Sequence, residues 1–189
     1  GLVVGDYRTS NGVVRTYRWV TAAQSWVQVG TDLNGSTGEE FGVSVDISDS
    51  GSRIIAATAA NNGGTGTVRI YEYSGGDWQQ MGADLTGVTS HYSFGTVVKL
   101  NASGDTAIIG EPYAWENPDS GGVYVYTWDG TNWNLKGTIL RSSAGFGSHY
   151  GGGIAISDSG DNIAVGAPAD NQVFSYFSFL NLLLYHQFL

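Results

Sequence analysis

The side chains whose types could do chemistry are Glu39 and Glu40, His91 and Tyr92, Tyr113, Trp115 and Glu116, and Phe146 and His149. A carboxylate pair flanking a sugar ring drives glycoside hydrolysis, and Asp6, Glu39, Glu40 and Glu116 are the acids placed to form one. Aromatic rings beside acids, as in Glu111-Pro-Tyr-Ala-Trp-Glu-Asn-Pro-Asp119, stack on sugars or take up peptide side chains. His91 and His149 stand alone in different parts of the chain, which suits structural histidines better than metal ligands. No Gly-x-Ser-x-Gly elbow, phosphate loop or His-Glu-x-x-His motif is present. With no cysteine, thiolate metal sites, disulfides and cysteine nucleophiles are excluded. The residues predict binding without catalysis, and neither a cofactor nor a metal.

These side chains need a frame, and the frame is written as a repeat. Trp26-Val-Gln-Val-Gly30, Trp78-Gln-Gln-Met-Gly82 and Trp133-Asn-Leu-Lys-Gly137 follow one another at 52 and 55 residues. A second set is Phe41-Gly-Val-Ser-Val-Asp-Ile47, Phe94-Gly-Thr-Val-Val-Lys-Leu100 and Tyr150-Gly-Gly-Gly-Ile-Ala-Ile156. A third is Leu2-Val-Val-Gly5, Ile54-Ile-Ala-Ala-Thr58, Ala107-Ile-Ile-Gly110 and Ile163-Ala-Val-Gly166. The fourth opens at Gly12, Gly66 and Gly122, runs to Tyr17, Tyr71 and Tyr126, and recurs weakly at Val173–Tyr176.

Each set has a strand's character. Phe41, Val43, Val45 and Ile47 alternate with Gly42, Ser44 and Asp46, a period of two with one apolar face. Ile54-Ile-Ala-Ala is apolar throughout, as in a strand covered on both faces. The Trp-led segments are more polar and suit a sheet edge. Ser48-Asp-Ser-Gly51, Asn101-Ala-Ser-Gly104 and Ser157-Asp-Ser-Gly160 are compact turns ending in a glycine that can take positive φ.

Four antiparallel strands repeated radially predict an all-β fold, a β-propeller of four-stranded blades, with a solenoid-like stack as the alternative. The blades are a partial one at 1–33, two at 41–85 and 94–140, and a partial one at 150–176. About three and a half blades make an incomplete ring, either a piece of a longer protein or one closed by self-association. Residues 177–189 leave the pattern as an apolar tail, too short to cross a bilayer as a helix. The recurring Trp26, Trp78 and Trp133, and Tyr17, Tyr71 and Tyr126, are assigned to blade packing.

In such a meander the longer, variable connections share one end: 34–40, 59–66, 86–93, 111–121 and 140–149. Variable loops on a rigid scaffold are where binding concentrates, so this end is the candidate face. Of 189 residues only 8 are Lys or Arg, and the formal charge is −9. That disfavours nucleic acid and anionic membranes, and membrane insertion is not expected. Asn34-Gly-Ser36 and Asn101-Ala-Ser103 fit the N-glycosylation pattern, with Asn34 the better placed.

The Phe41-Gly42 pair, with Gly166-Ala167-Pro168 in the last repeat, resembles the FG-GAP repeat of integrin α-subunit propellers and many secreted microbial proteins. The resemblance covers residues 1 to about 177. It implies an extracellular or cell-surface recognition module for protein or glycan. Integrin propellers often carry a calcium loop after the Phe-Gly strand. Here the equivalent turns hold only Asp49 and Asp158, and the final carboxylate position falls on Ile54, so no calcium is expected there. Two other readings are a lectin with one pocket per blade and an accessory domain of a larger secreted enzyme. The first would need matching loops, whereas Glu40, Ser93 and His149 share one position.

Overall fold

The computed structural model describes residues 1–8, 11–58, 65–87, 94–113, 121–141 and 147–168, and the backbone of 172–179 and 182–188. The chain forms four antiparallel sheets in sequence order. The first holds β1 (Leu2–Asp6), β2 (Val13–Val20) and β3 (Ser25–Asn34). The second holds β4 (Phe41–Ile47), β5 (Arg53–Thr58), β6 (Thr67–Ser74) and β7 (Asp77–Gln80), with β8 (Leu85–Thr86) returning to β6. The third is β9 (Val97–Leu100), β10 (Thr106–Glu111), β11 (Gly122–Trp128) and β12 (Trp133–Leu135). The fourth is β13 (Gly153–Ile156), β14 (Asn162–Ala167), β15 (Gln172–Phe179) and β16 (Leu182–Phe188).

The sheets are blades set side by side, with β1 packed on β4, β4 on β9 and β9 on β13. Among the described residues no comparable packing brings β13 back to β1, so the blades form an open arc and not a closed ring. Residues 182–188 pair with β15 and take the place that the Trp-led strands hold elsewhere.

The aromatic-Gly pair fixes each blade's entry. Phe41, Phe94 and Tyr150 are fully buried, and the glycine after each has φ near +90° (95°, 89° and 92°), a conformation L-residues rarely adopt. At Gly42 the β4–β5 register shifts between Phe41 and Ser44, a bulge that turns the chain inward. The glycine opening the third strand lies against the next blade's aromatic: Gly12 bridges Phe41, Gly66 abuts Phe94 and Gly121 bridges Tyr150. The third copy therefore begins one residue earlier than the alignment on Gly122.

Three apolar clusters fill the three boundaries. Val14 meets Phe41, Ile54, Ala56, Tyr71 and Trp78 between the first and second blades. Ile55, Val68 and Met81 meet Phe94, Ile109 and Trp133 between the second and third. Ile108 and Val123 meet Tyr150 and Val165 between the third and fourth. Every residue of β10, and all of β5 after Arg53, is buried, as their unbroken apolar character requires.

The outer-strand tryptophans bind these boundaries as well as filling them. Trp78 Nε1 donates to Thr16 Oγ1 at 2.7 Å and to the Val29 carbonyl at 3.0 Å. Trp133 Nε1 donates to the Met81 carbonyl at 3.1 Å. Trp78 and Trp133 are 6% and 8% exposed, but Trp26 is 49% exposed. Trp26 is thus not a core residue in this arc: its packing partner would be a preceding blade, and no sheet lies there among the described residues.

The compact turns are built as read. Gly51, Gly104 and Gly160 close them by donating to Ser48, Asn101 and Ser157 carbonyls at 2.9–3.0 Å. The Asp49 N–H also donates to the Ala102 carbonyl at 3.1 Å, and the Ala102 N–H to that of Asp158 at 3.2 Å. Backbone bonds therefore run from turn to turn around the compact-turn end.

Candidate functional site

Position 15 of β2 and its counterparts govern the long-loop end. Arg15 binds Asp32 at 2.6 Å, and Arg69, at the same place in β6, binds Asp84 at 3.0 Å. Asp32 and Asp84 each stand six residues after the blade's tryptophan, so the pair is a repeat feature. Gln28 and Gln80 brace these acids identically, each donating at 2.8 Å. In the third blade the arginine is replaced by Tyr124, whose hydroxyl donates to Glu111 at 2.7 Å. Glu111 is buried, and desolvation followed by this hydrogen bond holds the Tyr124 phenol well above the usual range.

Glu39 joins this layer. Its two oxygens take the Arg69 guanidinium at 2.8 and 3.0 Å, and Oε2 also accepts the Ser36 N–H at 2.7 Å. Both side chains are largely buried. The guanidinium holds the Glu39 carboxyl below the usual carboxylate range despite the opposing effect of burial. Arg69 also lies over the Phe41 ring, 5.5 Å from its centroid. Glu39 is therefore engaged as a clasp on the interblade connection.

Glu40 and His149 occupy the position just before the buried aromatic, and the structure gives both the same backbone, with φ of 51° and 53°. Both are exposed. His149 meets Tyr113 edge to face, with centroids 4.9 Å apart and planes at 75°. Two of the sequence-predicted residues are thus brought together from separate connections. Asp6 ends β1, exposed, while Asn34 ends β3, exposed, with its amide on the Asp32 carbonyl at 3.2 Å. His91, Tyr92, Trp115, Glu116 and Phe146 lie outside the described residues. Among the described residues no three acids or histidines cluster to hold a metal, and no helix is long and apolar enough to cross a membrane.

A cleft of about 230 Å³ opens at the opposite, compact-turn end, between the first two blades. Tyr17, Arg18, Ser50, Ser52, Tyr73 and Trp78 line it. At the next boundary the equivalent space is crossed by Arg53, which binds Glu72 at 2.8 Å and reaches the Gly104 carbonyl at 3.4 Å. Gly1 and Arg18 stand where Arg53 and Glu72 stand, which leaves the first space open. Arg53 has no arginine counterpart in the other blades, where Gly1, Thr106 and Asn162 stand at its place, so the repeat carried no signal for this cleft.

No family model matches the sequence, and no curated protein matches it. Solved structures do. A Bacteroides fragilis protein provisionally assigned as a 6-phosphogluconolactonase aligns with 97% of this chain and 49% of its own, at 12% identity and a TM-score of 0.63. The chain is a β-propeller. The Dos1 propeller aligns over 99% of this chain and 42% of its own, at 14% identity and a TM-score of 0.59. KlAtg21, solved with the coiled coil of AgAtg16, aligns over 98% of this chain and 57% of its own, at 11% identity and a TM-score of 0.61. This propeller arc spans about half the length of each. Identities this low show the fold alone.

Proposed function

We propose that the protein is a non-catalytic recognition module, extracellular or at the cell surface, that binds a protein or glycan through its long-loop end. The observation that carries this reading is the exposed Tyr113–His149 pair, presented by two separate connections. Rigid aromatic surface set on a scaffold is what a binding face needs. Glu40 adds an exposed acid at the position equivalent to His149, two boundaries away. The FG-GAP resemblance supports a surface role, and Asn34 is exposed as a glycan acceptor must be. KlAtg21, of like fold, was solved with a coiled-coil partner. Glu39, held by Arg69, serves the scaffold in this reading and not a sugar-hydrolysing pair. Self-association that completes the ring belongs to the same reading.

The test is a glycan array and an extracellular-matrix protein array probed with the wild-type chain and with Tyr113→Ala/His149→Ala. Binding that the double variant loses, with its thermal stability unchanged, supports the reading. Binding that the variant keeps, or none on either array, overturns it.

A further inference from the structure

The exposed pair at the third boundary has a counterpart at the first. Gly5 and Gly110 hold the same place in the repeat: a Cβ on either would strike the carbonyl of the glycine after the next blade's buried aromatic. Three residues on from them stand Arg8 and Tyr113. The register agrees, since Asp6 pairs with Val13 and Glu111 with Gly122, each just past the glycine that bridges the buried ring. Glu40 and His149, alike in their left-handed backbone, each stand just before that ring. Arg8 and Glu40 therefore hold at the first boundary the two places that Tyr113 and His149 hold at the third.

These equivalent places carry unlike chemistry. Tyr113 and His149 make an aromatic contact. Arg8 and Glu40 are a cation and an acid, both exposed and within electrostatic reach of each other. Tyr7 steadies Arg8, whose Nε donates to the phenol oxygen at 3.1 Å and whose guanidinium lies 5.4 Å from the ring centroid. Arg15, Arg53, Arg69, Lys99 and Lys136 are each ion-paired within the scaffold. Arg8 and Glu40 make no ion pair among the described residues, which leaves both charges to a partner. A residue that serves blade packing recurs, as the buried ring of Phe41, Phe94 and Tyr150 does. The places before and across from that ring vary because the scaffold does not dictate them.

Two blade steps separate the pairs, about 20 Å at the spacing of packed sheets. A standard protein interface, with about 800 Å² on each partner, covers that distance. A glycan read blade by blade would meet like residues at like places, and here it would meet charges at one and rings at the other. We infer that the two pairs together read one protein partner. Tyr113 and His149 are its apolar anchor, and Arg8 and Glu40 are a charged edge that matches an acid beside a base on the partner. This rests on the recognition reading above and narrows its ligand from protein or glycan to protein.

The experiment takes each protein that wild type binds on the extracellular-matrix array, purified, and measures it by surface plasmon resonance over a salt series. The variants are Tyr113→Ala and the exchange Arg8→Glu/Glu40→Arg. The exchange keeps the net charge and the attraction between the two side chains but reverses the field that a partner meets. Thermal melts confirm each fold, and Arg8→Gln/Glu40→Gln takes the place of an exchange that lowers the melt. A protein is expected whose affinity falls about thirtyfold with Tyr113→Ala and about tenfold with the exchange. The effect of the exchange should shrink as salt rises. Binding that only one of the two variants weakens sinks the joint interface. Hits confined to the glycan array sink it too and leave the recognition reading standing. No hit on either array overturns both.

Discussion

The Asp46 carboxylate accepts the backbone N–H of Leu100 at 2.8 Å, across the boundary between the second and third blades. Its other oxygen meets Lys99 Nζ at 3.3 Å, and Ser44 Oγ accepts the Val98 N–H at 3.1 Å. The polar positions of β4 thus satisfy the free edge of β9, where a sheet would otherwise need another strand. Asp46→Ala should lower unfolding free energy by about 2 kcal/mol, the size of a lost hydrogen bond to a charged group. Asp46→Asn, which keeps an acceptor oxygen, should lose less. Urea denaturation of the two variants measures the difference.

The Arg69 clasp gives a pH prediction. Glu39 has its folded pKa depressed, so its contribution is present above the ordinary glutamate value of about 4.3 and is lost as pH falls through the lower, folded value. Glu39→Gln should cost about 2 kcal/mol near neutrality. The stability curves of wild type and variant should then converge below about pH 4. Curves that stay parallel into acid would show that the carboxylate charge contributes nothing.

The two buried tryptophans differ in how their single N–H is received: Trp78 shares its proton between two acceptors, Trp133 gives it to one. Replacing either by Phe leaves a similar cavity, but Trp78 loses bonds to Thr16 and Val29, and Trp133 only the one to Met81. Trp78→Phe should therefore be more destabilising than Trp133→Phe, by about 1 kcal/mol in matched thermal melts.

Blade spacing depends on a glycine. A Cβ at Gly110 would collide with the Gly151 carbonyl, and one at Gly5 with that of Gly42. The second blade carries Ala57 at this place, with Gly95 across from it. Gly110→Ala should cost about 3 kcal/mol, as overpacking between two backbones does. Gly75→Ala, at φ 64° in open space, should cost only about 1 kcal/mol. Equal midpoints in a denaturant titration would contradict the close approach.

Most of the frame was legible because it is repeated. Phe41, Phe94 and Tyr150 recur at equal spacing since each blade needs the same buried ring, and Gly51, Gly104 and Gly160 recur since each turn needs the same backbone. What was not legible depends on neighbours in space. Trp26 has the sequence of a packed tryptophan, yet among the described residues no sheet lies beside it and it is exposed. Ser44 and Asp46 alternate as a solvent face would, yet their partners are the N–H groups of another blade. Glu39 and Tyr113 look alike as loop residues. Arg69, thirty positions away on the second blade, engages the first, and His149 across a boundary meets the second. The Gly121 register was hidden by Gly122 beside it, since two adjacent glycines fit the pattern equally.

The turn-to-turn bonds make the arc vectorial. Each N–H, from Asp49 to Ala102 and from Ala102 to Asp158, points toward the later blade, and each buried indole points toward the earlier one. The two ends of the arc are therefore unlike, as the two ends of a nucleic acid strand are. Two first blades set face to face would oppose one indole N–H to another with no carbonyl between them. Such a pairing of like ends would leave both indole N–H groups without an acceptor, a cost that an unlike pairing does not carry.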